Sequence, residues 1–433
     1  MRVAFYTFGC KVNQYETQVL SQWFAAAGHD VVPFGAPADA VVVNSCTVTA
    51  EGDRKTRQLL RRVRREQPGA ALALSGCYPQ AFPQEAAALD ADVVTGSKDR
   101  EGLLQALEEY LASGHRVVRI VPHRRGEAFE AMQAPDFGRR TRAFVKIQDG
   151  CDNRCAYCII PTARGPAHSK APALLEEELR GLAASGYKEV VLSGINLSAY
   201  GRELGLRLAD AAEMAAAVPG LDRIRLGSME PDVLTPEDIG RMAALGKVCP
   251  QFHLSLQSGC DDTLRRMGRR YTADHYRRAV RALREHFPGC ALTTDVMVGF
   301  PGEAEEEFRQ SLDFVREMAF AKLHVFAYSR RPGTRADAMA DQVPPQVKKQ
   351  RSARMIALGD RMRGDFLLSM VGTAQPVLLE ERGEGGLLGY TPNYTPVTVP
   401  VPQERHGEVV RVIITGVDGD GCTGLLADGK GMV

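Results

Sequence analysis

The run IQDGCDNRCAYCIIPTARG at 147–165 places Cys151, Cys155 and Cys158 at Cys-x3-Cys-x2-Cys spacing, directly after an apolar stretch. Thiolates are the usual ligands of iron–sulfur clusters, and a 4Fe–4S cluster takes four ligands, so three cysteines leave one iron open. S-adenosylmethionine (SAM) can fill that position through its amino and carboxylate groups. An electron from the cluster then cleaves the sulfonium to give a 5′-deoxyadenosyl radical. Zinc is the alternative, but its usual ligands come as two close pairs, and no fourth Cys or His stands at such spacing. Asp152, Asn153 and Arg154 make a poor core segment, which argues against accidental burial of three thiols.

The remainder of the chain reads as a scaffold for that loop. From Thr141 onward, apolar runs end at Gln148, Ser193, Gly227, Leu256, Val298 and Phe326, with helical patterns between them at about 172–186, 206–217, 235–245, 273–287 and 303–318. This is the rhythm of a six-unit βα barrel or partial barrel, closed by a helix-like run at 344–366. Residues 1–122 also alternate apolar runs with amphipathic stretches, which predicts a parallel α/β sheet. Residues 123–140, rich in Arg, Gly, Pro and Ala without periodicity, read as a linker. Residues 367–433 change to short alternating runs broken by Gly and Pro, the pattern of a small OB-like β-barrel. The expected class is α/β, with three domains at 1–122, 141–366 and 367–433.

Composition excludes several classes. At 433 residues the chain exceeds one ordinary core, and 44% hydrophobic with 25% charged residues is a globular balance rather than a disordered one. No apolar run reaches the roughly 20 residues that cross a bilayer, and MRVAFYTFGC lacks the features of a signal peptide, so a cytoplasmic protein without membrane contact is expected. Ten cysteines in such a chain favour metal or catalytic roles over disulfides. A net charge of +1 means that nucleic acid would be held by local patches, not by a global field.

In βα barrels chemistry gathers where strands end. The predicted strand ends carry SGIN, SMEP, QSG and TTDVMVGFPGE. Gly194 permits close approach of a ligand, Asn196 suits the methionine end of SAM, and Ser228 or Glu230 its ribose hydroxyls. Gln257, Asp295 and Tyr157 of the cysteine loop complete the candidate pocket. Turns and helix caps use the same residue types, and Gly302 before Glu303 also reads as a helix start.

Cys10, Cys46 and Cys77 each follow a predicted strand of the N-terminal sheet, within FGC, NSC and SGC, and would converge on one sheet edge. They are either apolar filler at strand ends or the ligands of a second cluster with one open iron. Cys249, Cys260, Cys290 and Cys422 follow no such pattern and read as structural.

GCKVNQYET, NSCTVTAEGDRKTRQ, SGCYPQ, QDGCDNRCAYCIIPTARG, HLSLQSGCDDTLRRMGRRYT and TTDVMVGFPGE together resemble the signature blocks of the methylthiotransferases, a radical SAM family, in order along essentially the whole chain. The resemblance implies an N-terminal domain with an auxiliary 4Fe–4S cluster on Cys10, Cys46 and Cys77, a radical SAM domain whose cluster sits on Cys151, Cys155 and Cys158, and a C-terminal TRAM barrel. GCKVNQYET and CTVTAEGDRKTRQ are similar to the branch acting on N(6)-threonylcarbamoyladenosine beside the tRNA anticodon. Other branches act on prenyl-adenosine or on a ribosomal-protein aspartate. The implied reaction uses one SAM to methylate a sulfur on the auxiliary cluster and a second to make the radical, which takes hydrogen from carbon 2 of adenine. That unactivated C–H has no acidic proton for a base to remove. Expected partners are the tRNA anticodon loop, an electron donor such as flavodoxin or ferredoxin, and a sulfur donor. A non-catalytic iron–sulfur electron carrier or RNA-binding redox sensor is the reading from another class.

Two arginine-rich stretches bear on RNA. Arg54, Lys55, Arg57, Arg61, Arg62, Arg64 and Arg65 follow Cys46, and Arg265, Arg266, Arg269, Arg270, Arg277, Arg278 and Arg281 lie in 264–281. Each is either a phosphate grip or a solvated helix face. The C-terminal 367–433 holds eight acidic and four basic residues, a poor field for phosphate. It would either stack RNA bases on Tyr390, Asn393 and Tyr394, or pack on the barrel and shape its entrance.

Overall fold

Strands buried on both faces read as continuous apolar runs, as in the centre of a parallel sheet. Ala40–Ser45 and Ala71–Gly76 are buried along their whole length. In the computed structural model, which describes residues 1–134, 138 and 141–427, they are central in a six-stranded sheet. Its order is Asp30–Val32, Arg2–Thr7, Ala40–Ser45, Ala71–Gly76, Val93–Thr95 and Val117–Arg119, parallel throughout. The two edge strands have three residues each, too short for a period to register in the sequence. Helices Lys11–Ala26 and Ala50–Glu66 start soon after Cys10 and Cys46.

Six further parallel strands, Arg142–Asp149, Glu189–Gly194, Arg223–Leu226, Gln251–Leu254, Ala291–Val298 and Lys322–Ala327, form the central barrel. The third breaks at Gly227 and resumes as Ser228–Met229, which pairs with the fourth, so the wall consists of two sheets linked by the Ile224–Val248 bridge. Among the described residues no pairing joins the last strand to the first, and the barrel is partial, as expected. Helix Pro345–Met370 packs on the last strand and leads into a closed barrel of Ala374–Gly383, Gly386–Tyr390, Pro396–Val399, Gly421–Leu426 and Val409–Asp418. Val377, Leu379, Val397, Val412, Ile414 and Cys422 fill that small barrel. Cys422, like Cys249 and Cys260, is buried.

Residues 120–134 carry neither helix nor strand but are well packed. Met132 and Ala134 are fully buried in the central core, while Glu127 and Glu130 pair with Lys98 and Arg100. Residues 135–137, 139, 140 and 428–433, including Asp428 and Lys430 of the charge count, lie outside the described residues.

The small barrel docks on the central one through a cluster of arginines. Arg142 donates to Glu380 at 2.7 Å, Arg223 to Pro376 O at 2.9 Å and Arg225 to Pro392 O at 2.9 Å. Tyr390 and Tyr394 stack on each other at 4.9 Å, and the guanidiniums of Arg142 and Arg225 lie over Tyr394 at 4.8 and 4.6 Å. Asn393 is buried and donates to Gly289 O. These three residues thus pack on the barrel and line its entrance, with Tyr394 still 37% exposed. No described helix is long and apolar enough to cross a membrane.

Candidate active site

The cysteine loop leaves the first barrel strand through Gly150, whose φ of +69° suits glycine and where a Cβ would lie 1.9 Å from Pro166 O. Gln148, fully buried, ties this exit to the second strand: its Nε2 donates to Asp149 O and Gly150 O, and its Oε1 accepts from Asn196 N at 2.7 Å. Asn196 Nδ2 in turn approaches Cys151 Sγ at 3.7 Å. Burial raises the Cys151 and Cys155 thiols and pushes Cys158 up to about 12. Bare thiolates are therefore disfavoured here, whereas a metal deprotonates a coordinating thiol outright. The one described Cys/His/Asp/Glu group with all ligand atoms within 4.8 Å is Cys260, Asp262 and Glu307. Neither cysteine triad has all three sulfurs within 4.8 Å of one another.

Two orphaned buried atoms lie beside the loop, Asn196 Oδ1 and Arg269 Nε. Arg269 donates to both oxygens of Glu230 at 2.7 and 2.8 Å and stands over the rings of Tyr157 and Tyr271. Unpaired polar atoms at such burial need a partner, which a bound water or a ligand can supply. A zwitterionic amino acid with a ribose fits the set of Asn196, Glu230 and Arg269, so these residues suit SAM. Gly194, Ser228 and Asp295 belong to a different surface, the wall of the chamber described below. Gln257 acts through its backbone, held at φ +66° by bonds with Asp295 O and Met297 N. Glu303 closes the turn after the fifth strand, accepting from Gly299 N and pairing with Arg351, and Glu305–Met318 begins after it.

The N-terminal cysteines converge as the strand pattern predicts. Sheet register sets Ser45 opposite Gly76, so Cys46 and Cys77 leave neighbouring strands side by side. Gly9 has φ +105°, and a Cβ there would lie 2.7 Å from Cys46 Cβ, so glycine lets the Cys10 loop close on Cys46. Asn13 secures the loop, donating to Phe8 O and Ser45 O and facing Cys10 Sγ through its Oδ1. Burial pushes Cys77 up to about 12 and raises Cys46. Arg164, fully buried and part of the CIIPTARG stretch, donates from Nε to Cys77 Sγ at 3.1 Å. A cation beside three thiols fits the anionic thiolate set of a cluster.

Cys10 and Lys11 open onto a chamber of about 810 Å³ whose wall includes Gly194, Ser228, His253, Asp295, His324 and Tyr394. Lys11 is exposed to this chamber but walled in by protein, and that desolvation, with Arg225 and Arg142, pushes its ammonium down to about 8. Lys322 and Arg363 also line it, against Asp295 and Asp420.

The arginine stretches divide. Arg269 is not a phosphate grip, because its side chain is 5% exposed and bound to Glu230. Arg265, Arg266, Arg277 and Arg278 pair with Asp262, Glu307, Glu317 and Asp274, the solvated-face alternative. In the first stretch Arg54, Arg62 and Arg64 meet Glu51, Glu66 and Asp92, Lys55 and Arg65 reach Glu51 and Glu66 at 4.0 Å, and Arg61 lies on the exposed face. Sequence reasoning missed Gln148, Arg164, Asn13 and Glu16. All four lie inside the quoted signature strings, which was the available signal.

A three-cysteine loop at the strand ends of a partial βα barrel, with unpaired polar atoms beside it, defines a radical SAM enzyme. The model of the Radical SAM superfamily matches residues 145–315, that of the Uncharacterized protein family UPF0004 residues 2–96, and that of the TRAM domain residues 368–419. The radical SAM methyltransferase TsrM from Kitasatospora setae is similar in fold, with a TM-score of 0.59 and 17% identity, covering 78% of this chain and 75% of that one. The threonylcarbamoyladenosine tRNA methylthiotransferase MtaB of Bacillus subtilis is 38% identical over 95% of this chain and 93% of its own length. The tRNA-2-methylthio-N(6)-dimethylallyladenosine synthase of Pelotomaculum thermopropionicum is 34% identical over 97% and 96%. The chain belongs to the methylthiotransferase family.

Proposed function

We propose that this protein methylthiolates carbon 2 of N(6)-threonylcarbamoyladenosine beside the tRNA anticodon, using SAM and two 4Fe–4S clusters. The observation that carries the reading is likeness over nearly the full length of an enzyme named for that substrate. In the proposed site Cys151, Cys155 and Cys158 hold one cluster, and Cys10, Cys46 and Cys77 the other. When bound, the first supplies with SAM a 5′-deoxyadenosyl radical, and the second supplies the sulfur. The remaining work falls to side chains. Asn196, Glu230 and Tyr157 orient SAM, with Arg269 fixing the Glu230 carboxylate. Gly194, Gln257, Ser228 and Asp295 complete the pocket and the wall against which the base is placed.

Chamber charge supports the branch. The threonylcarbamoyl group ends in a carboxylate, whereas a prenyl group is apolar, and the chamber wall carries three cations, Lys11, Lys322 and Arg363, against two carboxylates, Asp295 and Asp420. An electron carrier would need no such chamber. We further propose that residues 1–122 carry the sulfur, 141–366 generate the radical and 367–433 close the chamber. A flavodoxin or ferredoxin as reductant, a separate sulfur donor and a cytoplasmic location complete the reading. Mass spectrometry of tRNA nucleosides from a strain lacking this protein tests it: the 2-methylthio form of threonylcarbamoyladenosine should vanish while methylthiolated prenyl-adenosine persists. An unchanged nucleoside profile refutes it.

A further inference from the structure

The seam between the N-terminal sheet and the barrel is built from buried charges. Arg100, Lys146 and Arg164 meet Glu16 and Asp149, all five at most 5% exposed. The third carboxylate, Glu130, sits at the rim with its side chain 26% exposed and serves Arg100. Glu16 accepts from all three cations, with Arg100 at 2.5 Å and Lys146 at 2.9 Å. Burial alone would raise the Glu16 carboxyl, but Arg100, Arg164 and Lys146 hold it down at about 2.

Arg164 is the member whose charge is shared with sulfur. Its Nη2 donates to Asn13 Oδ1 at 2.5 Å and Glu16 Oε2 at 3.0 Å, and its Nη1 faces Glu16 and, at 3.4 Å, Asp149. A guanidinium is a rigid planar fork, so with both Nη groups pinned its Nε–H has a fixed direction. That direction leads to Cys77 Sγ at 3.1 Å. Arg164 ends the short helix Ile160–Arg164 that follows Cys158, so one segment supplies a ligand of the first triad and a donor to the second.

We propose that Arg164 is a positioning residue for the auxiliary cluster: its Nε–H donates to the Cys77 thiolate and its charge offsets the anionic cluster, setting a higher reduction potential and fixing Cys77 relative to the radical-generating loop. This rests on the reading of Cys10, Cys46 and Cys77 as cluster ligands. Hydrogen bonds to ligand sulfurs and local charge are the protein's main means of tuning such potentials. A charge-assisted donor is stronger than a neutral one.

The test uses the full chain with Cys151, Cys155 and Cys158 replaced by alanine, so that one cluster remains. After anaerobic reconstitution, iron content and an EPR-monitored redox titration are read without turnover. The parent should hold about four irons. Arg164→Met should shift the midpoint potential down, Arg164→Lys should shift it down by less, and Glu16→Gln, which removes a negative charge, should shift it up. An unshifted potential in iron-loaded Arg164→Met, or in Arg164→Lys where the Met variant fails to load, overturns the proposal. A parent that binds no iron instead refutes the cluster reading itself, which separates the two failures.

Discussion

Cys151, Cys155 and Cys158 come from one loop, whereas Cys10, Cys46 and Cys77 come from the ends of three strands spread along the first 77 residues. The loop triad depends on local turns, such as the Cys158 N to Cys155 O bond and the glycine corner at Gly150. The sheet triad depends on register, because a slip between Ala40–Ser45 and Ala71–Gly76 would part Cys46 from Cys77. One triad therefore rests on contacts close in sequence, and the other on strand pairing. Arg164 and Glu16 are where the two become mutually dependent.

The largest effects come from the cysteines. Cys151→Ala should abolish both 5′-deoxyadenosine formation and methylthiolation. Cys46→Ala should leave SAM cleavage intact and remove sulfur insertion, with each variant losing about half of the roughly eight irons. Equal loss of SAM cleavage in both would end the division of roles. Next is Glu16→Gln, which leaves buried cations unmatched and should cost about 3–5 kcal/mol in urea unfolding. Gly9→Ala forces a side chain into a left-handed corner against Cys46, a strain of about 1–3 kcal/mol. It should lower auxiliary iron while radical-cluster iron is retained.

Acid sharpens the same contrast. Glu16 is held at about 2 in the folded protein, below the ordinary 4.5, so its contribution is complete above the ordinary value. It is lost as pH falls through about 2, and Glu16→Gln should flatten the dependence of unfolding midpoint on pH in that window. The smallest effect is expected at the C-terminal seam. Tyr394→Ala removes two partly exposed cation–π contacts and should cost about 1–2 kcal/mol without changing iron content.

The loop triad was legible because its spacing is local, and the six barrel strands because short strand-like runs alternate with helical patterns. The sheet triad was legible as a convergence, since parallel strands put their ends on one edge. Partners were not. Arg164 stands in the quoted CIIPTARG stretch, but Cys77 lies 87 residues away and nothing in composition couples them. Arg269 stands in a run of arginines, and a charge run does not reveal which member turns inward to Glu230. The acidic count of the C-terminal barrel argues against a phosphate-attracting field, but does not show that Glu380 faces Arg142 or that Tyr390 and Tyr394 cover the barrel arginines.

The central claim is that two open clusters act in sequence on one base. It is tested by anaerobic turnover of the reconstituted protein with methyl-deuterated SAM, dithionite and tRNA bearing threonylcarbamoyladenosine, read by mass spectrometry of the nucleosides. The expected product is the 2-methylthio nucleoside carrying the labelled methyl group, formed together with 5′-deoxyadenosine. Formation of 5′-deoxyadenosine with no methylthiolated nucleoside from a fully iron-loaded protein would contradict it.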